Sequence, residues 1–454
     1  MKKLFHVFLV LTLVTALLTG CGGKKEDAAD TSKVTGTPES SNEDAADSNN
    51  ATPTATKTEP VTLTLYGDAG NVQRPFMQKI IQMYEEKTGN KIDVQGIESE
   101  NFESVCLMKF QSGDVPDLFL HQGGYSLDAY NPSENFVDLS GSTWVSDIAD
   151  SVLPTTKRDG VVYGLPFWEA SYSGLLYNTK IFDELGIALP KTQEEFNAVC
   201  DKLLENDVQP IYFPVKDVWP MLYQYGMDPI FENADLLNQL NTNQTTYEQI
   251  PEMKSMLEWY KLAADKGYFG KSFATDTWDY CMEVLGEGEA AMMYLWDTWL
   301  YSDYDNDSYT YKADDFGIMP AFLNTTEGGT FEGPNCNLTL ANKNSKNVDA
   351  AVDFINFMAD PNNYNVAFDG FETAPVFKGQ TTIKTTPQYD AAKDWIAQVG
   401  RASIANPEII GFSLIDGGKY IQELLIGNIG VEECLKEMDT ERIKAAKAQQ
   451  AEGF

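Results

Sequence analysis

Two short stretches hold the side chains best suited to grip a ligand. Trp168, Glu169 and Tyr172 fall in PFWEASYS, and Trp296, Asp297 and Trp299 fall in YLWDTW. An aromatic plane lies against the C–H face of a saturated ring, and a carboxylate accepts a hydroxyl hydrogen more strongly than a neutral oxygen does. Aromatic planes interleaved with carboxylates are therefore suited to a polyhydroxylated ring. A hydroxyl partner left buried and unpaired costs about 1–3 kcal/mol, which is how a wrong ring is rejected. Gln122 adds an amide after the apolar run LFLH, and the following Gly123 and Gly124 allow backbone to approach a ligand closely. Asp68 and Asn71 lie in the loop after the first strand-like stretch.

Other chemistries find little support. Beyond the leader the chain has one histidine, His121, which argues against a histidine-built zinc site or a histidine-based triad. There is no Gly-x-Ser-x-Gly elbow and no phosphate-binding loop, and nothing calls for a cofactor. Glu169 with Asp297 would supply the two acids of a glycoside hydrolase, but that reaction needs a defined separation between them. Asp303, Asp305, Asp307 and Asp314 occupy positions 1, 3, 5 and 12 of a calcium-type loop, yet Ser308 replaces the glycine and the last ligand is Asp. An exposed acidic loop is the plainer reading, and no metal is expected. The net charge of −35 argues against nucleic acid and against polybasic membrane docking. It does not argue for a cationic ligand, because whole-chain charge reports solubility rather than pocket chemistry. Still, aromatic cages hold cations, so a polyamine or amino-acid derivative stays an alternative ligand.

The elements that must position these residues begin well inside the chain. Lys2 and Lys3 precede an apolar run from Leu4 to Leu18, too short for a bilayer span of ~20 residues. This is a secretory signal over residues 1–20, and LTGC ending at Cys21 resembles a bacterial lipobox, with Cys21 as the lipidation site. Residues 21–60 lack Leu, Ile, Phe, Tyr and Trp, so they read as a disordered, hydrated tether. The expected location is the outer, extracytoplasmic face of a bacterial cytoplasmic membrane. Cys106, Cys200, Cys281, Cys336 and Cys434 are widely spaced and odd in number, which suits buried free thiols. From Val61 the chain reads strand, amphipathic helix, strand, helix, strand: VTLTLYGD, RPFMQKIIQMYEEKTG, KIDVQGI, NFESVCLMKFQSG, PDLFLHQ. That order implies an α/β fold with a mostly parallel sheet, and ligands there bind beyond the carboxyl ends of strands. The remaining ~395 residues exceed what one core usually covers, so two lobes are expected.

The phrases YEEKTGNKIDV, LMKFQSGDVPDLFL and DGVVYGLPFWEASYSGLLYNTKIFDELGIALPKTQEEF, followed by LGEGEAAMMYLWDTW, DFGIMPAF and SKNVDAAVDFINFMADP, run in order between Tyr84 and Pro361, within a likeness that covers nearly all of Val61 to about Glu437. Together they resemble the extracellular carbohydrate-binding proteins of ATP-binding-cassette importers, of the maltodextrin and multiple-sugar-binding type. The resemblance implies a periplasmic-binding-protein-like (Venus flytrap) fold with a hinge of several crossing segments. Lobe one would hold residues 61–168 and 321–370, and lobe two residues 172–318 and 371–454. The implied ligand is a sugar or oligosaccharide, delivered by a monomer to a membrane permease without catalysis. On that map PFWEASYS is the first crossing between lobes. Asp68 matches a loop where relatives place an acid, Trp219 a position that often lines the cleft, and Trp296 or Trp299 the ring-stacking tryptophan. FEGPNCN, with Asn335, matches the return to lobe one, and Phe371 and Glu372 lie near the last crossing.

Overall fold

A computed structural model describes residues 59–98, 101–323, 328–399 and 408–454. The signal, Cys21 and the tether as far as residue 58 lie outside the described residues, as does the side chain of Asn335.

The strands in chain order are β1 (Thr62–Asp68), β2 (Lys91–Ile97), β3 (Leu118–Gln122), a hairpin of β4 (Lys157–Arg158) and β5 (Val161–Val162), and β6 (Gly164–Leu165). They continue with β7 (Ser171–Asn178), β8 (Gln209–Ile211), β9 (Ala290–Trp296), β10 (Phe316–Met319), β11 (Glu332–Asn335) and β12 (Asn337–Ala341). Two main sheets result. The first runs β2-β1-β3-β12-β6, and the second runs β10-β7-β9-β8 with β11 added on β7. Each sheet has its own core, and the pair forms the two-lobed α/β arrangement expected from the sequence.

The opening β-α-β-α-β unit forms for local reasons. In β1, Leu63 and Leu65 point into the core between the flanking Thr62 and Thr64, which are exposed and half-buried. The helix Pro75–Thr88 starts with proline in its first turn, where the missing N–H costs nothing, and stops at Gly89 with φ 80°. Its Phe76, Met77, Ile80, Ile81 and Tyr84 are buried, each contributing about 1.5–3 kcal/mol. β1 pairs parallel with both β2 and β3, whereas β12 returns antiparallel against β3 with Asn337 opposite Gln122.

In the second sheet β7 is central and antiparallel to β9 and β10, with Ser173 opposite Trp296. Its core takes Met253, Leu257 and Tyr260 from the helix Pro251–Lys266, and Ile421, Leu424, Leu435 and Met438 from the two C-terminal helices. Ala374, Val376 and Phe377 pack instead on the first core. The chain crosses from the first sheet to the second between β6 and β7, and back between β11 and β12. Residues 166–170 and Cys336 are those crossings. The five cysteines beyond Cys21 are buried and unpaired.

Candidate ligand-binding site

The sheet geometry brings several loops to one place. β1 and β3 run parallel, so their carboxyl ends share an edge, and the antiparallel β12 starts at that edge. In the second sheet the end of β9 meets the beginning of β7 in the same way. A cavity of about 370 Å³ lies among these ends, within the range of small-molecule sites.

Its wall is tryptophan-rich. Trp168, Trp219, Trp278, Trp296 and Trp299 all line it. Four of them form a continuous surface: Trp219 lies 4.7 Å from Trp278 and 6.4 Å from Trp296, and Trp278 lies 6.2 Å from Trp299, between ring centroids. Trp168 stands apart, held edge-on by Phe76 at 5.4 Å.

The polar part centres on Arg74, the residue just before the helix Pro75–Thr88. Its Nη1 donates to both Asp303 oxygens at 3.1 and 3.2 Å, and its Nη2 lies 3.5 Å from Glu169 Oε1. Glu169 is 4% exposed on the crossing between the sheets. Burial pushes its carboxyl up to about 7; the Arg74 guanidinium pulls the other way, and the carboxylates of Asp303 and Asp297 add to the rise. Three buried polar atoms in this wall have no hydrogen-bond partner: Arg74 Nε, Glu169 Oε2 and Trp299 Nε1. Cys336 also lines the cavity, and burial raises its thiol far above the usual range.

Of the residues singled out in the sequence, Asn71, Gln122, Trp168, Glu169, Trp219, Trp296 and Trp299 come together at this cavity. Others are placed elsewhere, each for a physical reason. Asp68 caps a short helical turn, accepting from the backbone N–H of Gly70 and Asn71. The close approach that Gly123 permits is to the carbonyl of Thr155, which a Cβ would strike. Tyr172 stacks on Tyr389 at 5.2 Å. Asp297 is 1% exposed and turned into the protein, where it accepts from the Tyr172 N–H at 2.8 Å and from the Thr386 hydroxyl. Phe371 packs edge-on against Phe76, and Glu372 faces Lys384 at 3.9 Å.

The acidic loop divides. Asp303 belongs to the cavity, while Asp305 accepts from the Asp307 N–H and the Ser308 hydroxyl. Among the described residues no group of three His, Cys, Asp or Glu side chains is placed to hold a metal ion.

Arg74, Trp278, Ser302 and Asp303 line the site without having been expected there as ligand contacts. Trp278 had a usable signal, since a tryptophan in the polar stretch TDTWDY sits on no apolar face. Arg74 had none, because its partners come from far along the chain.

Two sheets with separate cores, joined by crossings that floor an aromatic cavity, define a two-lobed ligand-binding protein. Comparison with known proteins agrees: residues 69–364 match the family model of the bacterial extracellular solute-binding proteins, and the chain belongs to that family. An extracellular-binding protein of an ABC transporter from Pyrococcus horikoshii is 23% identical over 277 residues, covering 59% of this chain and 63% of the relative. The melibiose/raffinose/stachyose-binding protein MelE of Bacillus subtilis is 26% identical over 198 residues, covering 43% of this chain and 38% of MelE. These alignments span less than two thirds of the curated relatives' lengths. The fold extends further: a chitin oligosaccharide binding protein superposes with a TM-score of 0.71 at 20% identity, over 86% of this chain and 99% of that one.

Proposed function

We propose that this protein captures a sugar or oligosaccharide outside the cell and delivers it to the membrane permease of an ABC importer. The observation that carries the reading is the cavity itself, where five tryptophans surround an arginine and a carboxylate with unspent hydrogen-bonding atoms. A sugar hydroxyl is both donor and acceptor, so it can serve Arg74 Nε, Trp299 Nε1 and Glu169 Oε2 once small side-chain rotations expose them. Each buried unpaired atom costs about 1–3 kcal/mol, and a ligand that relieves this cost gains affinity. The names of relatives support the class, since MelE is a melibiose/raffinose/stachyose-binding protein and another relative is a multiple sugar-binding protein of Streptococcus mutans.

Binding, without bond-making, is the work proposed. Asp297 is occupied by Tyr172 and Thr386 and so does not stand opposite Glu169 as a second catalytic acid. The two lobes, one built on each sheet, close about the crossings when ligand favours the closed state, with residues 321–323 and 332–335 on the second sheet's side and 374–377 on the first. Lipid on Cys21 holds the monomer at the membrane.

The test is calorimetric titration of the purified protein with neutral mono- and oligosaccharides, with amino acids and polyamines alongside. Saturable binding of one sugar group supports the reading. Binding confined to polyamines or amino acids would keep the family and remove the carbohydrate. Loss of membrane association in Cys21→Ser tests the anchor separately.

A further inference from the structure

Among the described residues, the charged side chains lining the cavity are Arg74, Glu169 and Asp303. The single cation is already committed. Its guanidinium contacts both Asp303 oxygens at 3.1 and 3.2 Å and faces Glu169 at 3.5 Å. One positive charge therefore stands against two carboxylates, in a wall where Arg74 is about one fifth exposed and Glu169 almost wholly buried. An anionic ligand would bring a third negative charge to this group and find no uncommitted cation.

Of the three unpaired atoms, Arg74 Nε and Trp299 Nε1 are donors that serve hydroxyls and anions alike, so the discriminating one is the acceptor Glu169 Oε2. Glu169 is 4% exposed, and its Oε2 accepts from no protein group. A hydroxyl can donate to that oxygen, whereas a ligand carboxylate or sulfate has only acceptors and would press oxygen against oxygen. Like charges juxtaposed in a partly dry site disfavour binding, and stacking on the tryptophans, which neutral and acidic rings share, does not offset that difference.

Building on the carbohydrate reading above, we infer that this site accepts uncharged glycans and excludes acidic ones, with Glu169 and Asp303 as the specificity-determining residues. Arg74 is then a donor to neutral hydroxyls, held in place by the two carboxylates, and not an anion receptor. Neutralising the carboxylates turns the same arginine into one.

The experiment is calorimetric titration at pH 8 and low salt with matched probes. The neutral probes are maltotriose, xylotriose and raffinose; the acidic ones are trigalacturonic acid and glucuronic-acid-substituted xylotriose. Wild-type protein is expected to bind a neutral probe at least roughly tenfold more tightly than either acidic probe. The double variant Glu169→Gln/Asp303→Asn is expected to narrow that gap by roughly tenfold or more, chiefly by gaining affinity for the acids. Glu169→Gln alone keeps the shape of a side chain that burial already drives toward neutrality, so it serves as the variant that folds. An acidic probe that binds wild type as tightly as the neutral ones overturns the inference and leaves the carbohydrate reading standing. A gap unchanged in the variants removes the assignment to Glu169 and Asp303. No binding by any probe of either charge removes the carbohydrate reading, and this inference with it.

Discussion

Trp219 and Trp296 lie 6.4 Å apart between ring centroids, with their planes only 25° from parallel, although one opens a 3-10 turn and the other ends β9. At that distance no ring fits between them, so they form one slab, across which the proposed ligand would lie. Trp296→Ala removes the half of the slab fixed by strand pairing to Ser173. Its affinity for the cognate sugar should fall roughly thirtyfold or more, the scale of an aromatic hot spot. Trp219→Ala should do less, because Trp278 at 4.7 Å partly covers the gap. Calorimetric titration of the two variants checks the order; equal, small losses would place the ligand elsewhere.

Asp297→Ala should act on stability rather than on binding. The carboxylate ties the N–H of Tyr172 on β7 to the hydroxyl of Thr386, which in turn caps the helix Pro387–Gln398 through Tyr389. Removing it leaves two buried donors unpaired, a cost on the order of 2–5 kcal/mol. Thermal denaturation should show a clear drop in Tm, while affinity measured on the folded fraction stays within a few-fold of wild type. A large affinity loss with unchanged Tm would return Asp297 to the ligand.

That contrast marks where the sequence is legible. β1 to β3 and the helix Pro75–Thr88 follow from alternation and helical spacing, because those signals are local. Trp168 stands out because it falls in a linker rather than on an apolar face, and Glu169 because burying an unpaired carboxylate is costly. Asp297 has the right type beside the right tryptophan, yet its partner Thr386 lies far along the chain, and only folding shows that the carboxylate is spent. Arg74 is the reverse case. It precedes a proline and reads as a helix boundary, and its place in the cavity comes from Asp303, brought over from the end of the short helix Trp299–Ser302.

Stability should fall as pH rises from about 5 to 8. Burial pushes the Glu332 carboxyl up to about 8, opposed by the Gln224 amide that donates to it at 2.7 Å, and pushes Glu169 up to about 7. In the unfolded chain both groups lose their protons near 4.3, so over this range the unfolded state binds fewer protons and gains on the folded one. Glu332→Gln keeps an acceptor for Gln224 without the buried charge. It should raise Tm by about 2–4 °C at pH 8.5 and change it little at pH 5, flattening the profile. A variant that lowers Tm equally at both pH values would show that the native carboxyl is needed for its geometry.

Val218 adopts φ 65° and ψ −60°, a conformation that a β-branched side chain strongly disfavours, and it immediately precedes Trp219. The helix Leu414–Leu425 supports this backbone. Gln422 Nε2 donates to the Val215 carbonyl at 3.0 Å, the Tyr223 hydroxyl donates to the Ser413 carbonyl, and Gly418 leaves room for Val218. A Cβ at position 418 would sit 2.6 Å from Val218 Cγ1, so Gly418→Ala must displace the turn that carries Trp219. Affinity should fall roughly three- to tenfold, as a shift of tenths of an ångström in one stacking plane implies. The intrinsic tryptophan emission should shift as well, since Trp219 moves against Trp278 and Trp296. Gly430→Ala, where an added Cβ meets nothing, is the control that should change neither readout. If Gly418→Ala lowered Tm but left affinity and emission untouched, the C-terminal helix would be packing alone, and the strain at Val218 would have no part in holding Trp219.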